Sequence, residues 1–223
     1  MNEASGDQAS GPHQGQPVVT AGVSLDDATV AMVMIHGRGA TARGIIGLSQ
    51  EFGTDREIAY VAPQAADNSW YPNSFLAPFE RNEPELSSAL RAVGEAVERV
   101  RNAGLPSERT LLLGFSQGAC LTLEYVARNP RRYGGVVGLS GGLIGPDSMP
   151  REYTGALQET SVFLGCSDVD PHIPLERVHE TADVFRQLHG DVTERIYDGM
   201  AHTINDDEIA FTTELIREVS INE

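Results

Sequence analysis

The chain has 223 residues, 40% of them hydrophobic, and carries 32 acidic against 16 basic side chains for a net charge of −16. That length fits one globular domain with a substantial core and is too short for a large separate cap. The acidic field repels nucleic acid and anionic membrane surfaces, and no apolar run approaches the roughly 18 residues of a spanning helix, which excludes stable membrane insertion.

Residues 1–15 are polar, rich in Gly, Ser and Gln, and lack the basic flank and apolar stretch of a secretory signal. A disordered tail is expected there, with the folded domain over 16–223. Apolar runs of strand length then alternate with amphipathic stretches of helix length, the pattern of a mainly parallel sheet with helices on both faces. Strands are expected at 18–23, 30–35, 58–62, 110–115, 135–139, 161–164 and 193–197, and the first two could instead pair as an antiparallel hairpin through 24–28. Helices are expected at 43–52, 117–129 and 175–188. The clearest helix follows Asn82, where Leu86, Leu90, Val93, Val97 and Val100 recur at helical spacing and Asn82 and Glu85 are placed as a capping box. Another begins at Asn205, with Asp206, Asp207 and Glu208 in its first turn and a stripe of Ile209, Thr212, Leu215, Ile216 and Val219. Residues 141–155 show no periodicity and read as a loop on the site face.

Two segments match Gly-x-Ser-x-Gly: Gly-Phe-Ser-Gln-Gly at 114–118 and Gly-Leu-Ser-Gly-Gly at 138–142. A nucleophile elbow needs a strand ending in a sharp turn with a helix directly after it. Ser116 has both, with Leu111 to Phe115 before it and Ala119, Leu121, Leu123, Tyr125 and Val126 after. Ser140 is followed by Gly141, Gly142, Gly145 and Pro146, which cannot readily start a helix. Ser116 is therefore the candidate nucleophile, and Ser140 reads as a strand-end turn. The glycine-rich run His36-Gly37-Arg38-Gly39 directly after the strand at 30–35 suits an oxyanion loop, with the backbone amides of Arg38 and Gln117 as donors. His36 reads as packing in that loop.

This kind of site orders its residues as Ser, then Asp or Glu, then His. The strand at 161–164 leads into a loop holding Asp168 and Asp170, and periodicity cannot choose between them. The strand at 193–197 leads into a loop holding His202, the candidate general base. No metal or cofactor is implied. Cys120 and Cys166 have no metal-ligand spacing and lie beside apolar stretches, as free core thiols in a reducing cytoplasm do.

With Gly-Phe-Ser-Gln-Gly, His-Gly-Arg-Gly and Asp-Pro-His-Ile-Pro assembled, the chain resembles the phospholipase/carboxylesterase family over nearly everything after the tail. The resemblance implies an α/β-hydrolase fold without a large cap domain. It also implies that Asp170, which opens a motif like Asp-Pro-x-Val-Pro, is the acid, with His202 in a Gly-x-x-His segment. Ser69-Trp70-Tyr71-Pro72 resembles the family's Ser-Trp loop near the acyl site, so Trp70 and Tyr71 are expected to bind substrate. Phe75, Leu76 and Phe79 extend that cluster toward an apolar acyl pocket. Thioesterase members usually carry Leu-Gly-Asp after the first His-Gly, where this chain has Arg38-Gly39-Ala40, which weighs against palmitoyl-protein thioesterase activity.

The implied activity is a serine carboxylesterase, lysophospholipase-like in its broadest form. A thioesterase using the same residues and a non-catalytic ligand-binding module are the competing expectations. The expected partner is a small-molecule ester substrate, with a homodimer left open. Every basic residue is arginine and lysine is absent. Together with the acidic excess, this suggests a protein that works in concentrated salt; the competing expectation is a mesophilic acidic protein from an arginine-favouring genome, and the cytoplasmic expectation rests on the two free thiols.

Overall fold

The computed structural model describes residues 11–53 and 57–221. Its seven strands are β1 (Val18–Gly22), β2 (Val30–Ile35), β3 (Ile58–Pro63), β4 (Thr110–Phe115), β5 (Gly135–Leu139), β6 (Ser161–Ser167) and β7 (Asp191–Tyr197). Strands rich in Val, Ile and Leu on both faces must be covered on both faces, and β2, β3 and β5 are buried along their whole length. The order is β1-β3-β2-β4-β5-β6-β7, all parallel except β1. This is the α/β-hydrolase architecture, without a large cap.

The hairpin that 24–28 could have closed is not formed. Both edges of β2 are taken by β3 and β4, and β1 lies antiparallel to β3 with Val18 opposite Pro63 and Gly22 opposite Ala59. The burial patterns explain the choice: β2 is apolar throughout and belongs in the middle, whereas the half-exposed β1 suits an edge. At the other edge, β6 runs on to Ser167 and β7 starts at Asp191, because Ser161 to Ser167 pair with Asp191 to Tyr197 in unbroken register.

The helices are α1 (Ala42–Ile46), α2 (Glu85–Asn102), α3 (Gln117–Arg128), α4 (Leu175–Gln187) and α5 (Asp206–Ile221). Alternate residues of β2 face opposite layers. Ala31, Val33 and Ile35 pack with α2, α3 and α4, while Val30, Met32 and Met34 pack with α1 and α5. The single helix expected at 43–52 is instead five residues of α1 and a 3₁₀ turn over Gly47–Gln50, consistent with two glycines, Gly44 and Gly47, in a short stretch. The capping box expected at Asn82 and Glu85 is also absent. Asn82 is buried and its amide accepts from the Asn73 N–H and donates to the Ser74 carbonyl, while Glu83 accepts from the amide and hydroxyl of Ser87.

A capping box does form at the start of α5. The Glu208 N–H donates to Asn205 Oδ1, and Glu208 Oε2 accepts from the Asn205 N–H, both at 2.9 Å. Of the expected α5 stripe, Ile209 is only half-buried, and Glu208 takes a buried place instead. Burial pushes the Glu208 carboxyl up to about 7, only partly opposed by the Asn205 amide. The folded state therefore holds that proton more tightly than the unfolded chain. The associated stability is complete below about pH 4.5 and is lost as the pH rises to about 7, a change of about 3 kcal/mol. Glu208→Gln keeps an acceptor for the cap and removes the titration. Denaturant unfolding from pH 4 to 8 should show the variant gaining on the wild type across that window; parallel profiles would contradict the assignment.

The expected tail ends earlier than Gly15. Residues 11–15 form a turn against the domain, and His13 is buried: its N–H donates to Ser88 Oγ, its Nδ1 accepts from the Ala66 N–H at 3.1 Å and its Nε2 donates to the Trp70 carbonyl at 2.9 Å. Burial holds this imidazole below its ordinary value, so it is neutral. Residues 1–10 of the expected tail lie outside the described residues.

Candidate active site

Strand β4 ends at Phe115, and Ser116 turns the chain into α3 with φ 56° and ψ −122°. This left-handed conformation is strained for a serine and is held by the close crossing of strand and helix. A Cβ on Gly114 would stand 2.3 Å from the Gly118 carbonyl oxygen, and one on Gly118 would stand 2.2 Å from that of Ile35. Neither position has room for any other residue. The Ser116 N–H is tied to the Leu139 carbonyl at 2.9 Å.

Three further loops at the carboxyl ends of parallel strands converge on this serine, as ligand sites in open α/β sheets do. From the end of β7, His202 brings Nε2 to 2.8 Å from Ser116 Oγ, and its Nδ1 lies 2.7 Å from Asp170 Oδ2. Asp170 follows β6, and its side chain is fully buried. Its other oxygen accepts from the N–H groups of His172 (2.8 Å) and Ile173 (3.1 Å), an Asx turn that fixes the carboxylate. Burial alone would raise the Asp170 carboxyl, but the hydrogen bond from His202, the two amides and the nearby imidazole outweigh it and hold the group below its ordinary value. Asp168 points elsewhere and accepts from the Gly199 N–H at 2.8 Å, bracing the His202 loop. The Phe115 ring packs on the His202 imidazole at 5.1 Å, and that of His172 meets it edge-on at 4.9 Å.

The loop after β2 lies against the serine, with a Cβ on Gly37 only 3.3 Å from Ser116 Cβ. Gln117 opens α3, so its N–H is among those with no acceptor inside the helix. Arg38, next to Gly37, and Gln117, next to Ser116, thus lie on the two segments that meet at the serine. His36 braces this loop. Its Nε2 accepts from the Ala65 N–H (3.1 Å), its Nδ1 donates to the Gly37 carbonyl (2.8 Å), and burial holds it below its ordinary value. The Arg38 guanidinium donates to Ser69 Oγ and to the carbonyls of Pro72 and Asn73. The side chain of Gln117 clasps the same segment, accepting from the Trp70 N–H and donating to the Tyr71 carbonyl.

A cavity of about 530 Å³ opens beside Ser116 and His202, and Arg38, Tyr71, Phe75, Cys120 and Ile173 are among the residues around it. Of the two aromatics expected to bind substrate, Tyr71 lines this cavity and Trp70 does not. Trp70 is fully buried behind it, donating from Nε1 to the His36 carbonyl at 2.8 Å and packing against the rings of His36 and His13. It holds the loop after β2 in place. Leu76 and Phe79 also lie away from the cavity, and Phe79 carries Arg128 over its ring. The irregular segment at 141–155 does not line the cavity. It supports it from behind, donating from the Gly145 N–H to the Phe75 carbonyl and held by Arg177 on the carbonyls of Leu143 and Gly145.

Ser140 also has a positive φ of 49°, but it is fully buried, no helix follows it and it does not line the cavity. Sequence reasoning missed the amides of His172 and Ile173 as carboxylate donors, although Asp-Pro followed by two residues is itself a turn signal. It also missed Cys120, one helical turn beyond Ser116. Both cysteines are free and buried, and burial pushes each thiol up to about 12. Among the described residues no three His, Cys, Asp or Glu side chains cluster as a metal site, and no helix is long and apolar enough to cross a membrane.

Comparison with known proteins identifies the family and the fold. The structure is similar to that of a phospholipase/carboxylesterase from Dyadobacter fermentans, with 44% identity, coverage of 91% of this chain and 96% of that one, and a TM-score of 0.86. The fold is shared with esterase PE8 at 24% identity and a TM-score of 0.73, covering 92% and 98% of the two chains. The sequence is 25% identical over 224 residues to acyl-protein thioesterase 1 of Debaryomyces hansenii, covering 91% of this chain and 97% of the relative. The model of the phospholipase/carboxylesterase family matches residues 16–220. The chain belongs to the phospholipase/carboxylesterase family of α/β-hydrolases.

Proposed function

We propose that the chain cleaves carboxylic esters through an acyl-enzyme on Ser116, with His202 as general base and Asp170 as the acid that orients it. Members of this family are hydrolases acting on ester bonds, and so is this chain. The observation that carries the residue assignment is the continuous pair of hydrogen bonds from Ser116 Oγ to His202 and from His202 to Asp170. Ser116 Oγ attacks the ester carbonyl as its proton passes to His202 Nε2, and the Arg38 and Gln117 amides receive the developing oxyanion. Collapse breaks the bond to the alcohol oxygen, which takes the proton from His202. Water then repeats both steps on the acyl-enzyme, releasing the acid. The intact geometry weighs against a non-catalytic binding module.

Thioester hydrolysis would use the same residues, and the thioesterase of Debaryomyces hansenii supports keeping it as the second reading. Paired oxygen and sulfur esters of one acyl group decide between them: the proposal expects the oxygen ester to be turned over at a kcat/KM at least equal to that of the thioester. A strong thioester preference would reverse the order.

We place the protein in the cytoplasm on the strength of its two free buried thiols. We further propose that it works in concentrated salt. Mutual repulsion among 32 carboxylates opposes compaction, and at about 1 M salt the screening length falls to roughly 3 Å, which removes most of that cost. Many of the ion pairs join exposed partners, such as Arg101 with Glu98 and Arg217 with Glu214, and such pairs contribute little against a field of this size. Thermal unfolding and esterase activity measured from low to multimolar potassium chloride should both rise with salt. Flat or falling profiles would refute the salt requirement and leave the site assignment untouched.

A further inference from the structure

The cavity beside Ser116 reverses the charge pattern of the chain as a whole. The protein has 32 acidic residues against 16 basic ones, yet among the described residues no acidic side chain lines this cavity, whereas Arg38, His172 and His202 do. The carboxylate of Asp170 sits behind His202, its side chain fully buried and its oxygens engaged by the imidazole and two backbone amides. The wall itself therefore offers positive charge and no negative charge.

Arg38 is exposed, and its head group is held at the cavity rim. Nη1 donates to Ser69 Oγ at 3.2 Å and to the Pro72 carbonyl at 2.9 Å, and Nη2 donates to the Asn73 carbonyl at 2.7 Å. Pro72 and Asn73 line the cavity themselves, so these bonds place the guanidinium against its wall, with the Tyr71 ring 5.9 Å away. All three acceptors are neutral. A guanidinium carries five N–H donors in one plane. Among the described residues Nε–H and one Nη2–H have no acceptor, and no carboxylate pairs with the charge.

Two spare donors on a planar cation match the two oxygens of a carboxylate. Resting on the esterase reading above, we propose that Arg38 is a specificity-determining residue whose guanidinium binds a carboxylate carried by the ester, so that the substrates are anionic esters rather than plain fatty-acid esters. The bonds to Ser69, Pro72 and Asn73 order the head group in advance, so little side-chain freedom is lost when the anion docks. The net charge of −16 repels an anion at long range, and the Arg38 charge on a wall free of acidic side chains offsets that repulsion at the site.

The test uses matched esters that differ only in a carboxylate against its isosteric amide. One pair is monoethyl glutarate and its terminal amide, with the charge on the acyl side; the other is 3-(butyryloxy)propanoate and its amide, with the charge on the alcohol side. kcat/KM is measured at one fixed salt concentration for the wild type and for Arg38→Gln, which keeps donors for the Pro72 and Asn73 carbonyls. The wild type is expected to prefer the charged member of at least one pair by about tenfold, and Arg38→Gln to bring that ratio to about one. The pair that responds shows which side of the ester meets Arg38. Wild-type ratios near or below one in both pairs overturn the proposal without any variant. A ratio that survives in Arg38→Gln overturns it too, even if both members slow together, because Arg38 would then only brace residues 69–73. Turnover of p-nitrophenyl butyrate with none of the matched esters cleaved also overturns it. If p-nitrophenyl butyrate is not hydrolysed either, the esterase reading itself fails.

Discussion

Ser116→Ala should lower kcat on p-nitrophenyl butyrate by about 10⁵- to 10⁶-fold, and His202→Ala should do the same. The reason is geometric. With Oγ 2.8 Å from His202 Nε2, neither residue has a function in the chemical step without the other: the hydroxyl is a poor nucleophile until the imidazole takes its proton. Residues that act as one unit show strongly non-additive losses, so the Ser116→Ala/His202→Ala double variant should be little worse than either single change. What activity is left would come from the oxyanion donors and from binding. Steady-state kinetics on variants shown to be folded would check this. Near-full activity in His202→Ala, or losses that multiply in the double variant, would break the unit apart.

Asp170→Asn should lower kcat by about 10⁴-fold while leaving the fold intact. Asp170 accepts from His202 through one oxygen and from two backbone amides through the other, so an asparagine must present its NH₂ group to at least one donor. If the amide turns its nitrogen toward His202, the imidazole is held in the wrong tautomer and Nε2 can no longer accept the serine proton. Asp168→Asn is the matched control. That carboxylate meets only the Gly199 N–H among the described residues, so its loss should cost about 1 kcal/mol of stability and leave the rate close to that of the wild type. If Asp168→Asn proved crippling and Asp170→Asn mild, the acid would have to be reassigned.

The legible part of this molecule is the part where local pattern and tertiary role coincide. Runs such as Val30 to Ile35 and Thr110 to Phe115 can only be central strands, and a helix-forming sequence directly after Ser116 separates the elbow from the similar motif around Ser140. The choice between Asp168 and Asp170 was not legible from periodicity, because it depends on an Asx turn and on where a second loop places His202. Trp70 and Tyr71 are neighbours in an irregular segment, where no repeat says which side chain faces in. The tryptophan went to the core behind the loop after β2 and the tyrosine to the cavity wall. Asn82 carries a good cap signature but is used by Asn73 and Ser74, and His13 lies in a polar stretch yet is ordered by partners more than 50 positions away. In both cases a long-range contact outweighed the local signal.

The most direct test of the central claim is stoichiometric labelling of the full chain with a fluorophosphonate probe, followed by mass mapping of the modified residue. An activated serine displaces fluoride from phosphorus and retains the phosphonyl group; an ordinary one does not. One label per chain on Ser116, absent in Ser116→Ala and strongly slowed in His202→Ala, is the expected result. Labelling that persists in Ser116→Ala, or that maps to Ser140, would contradict the assignment of the nucleophile.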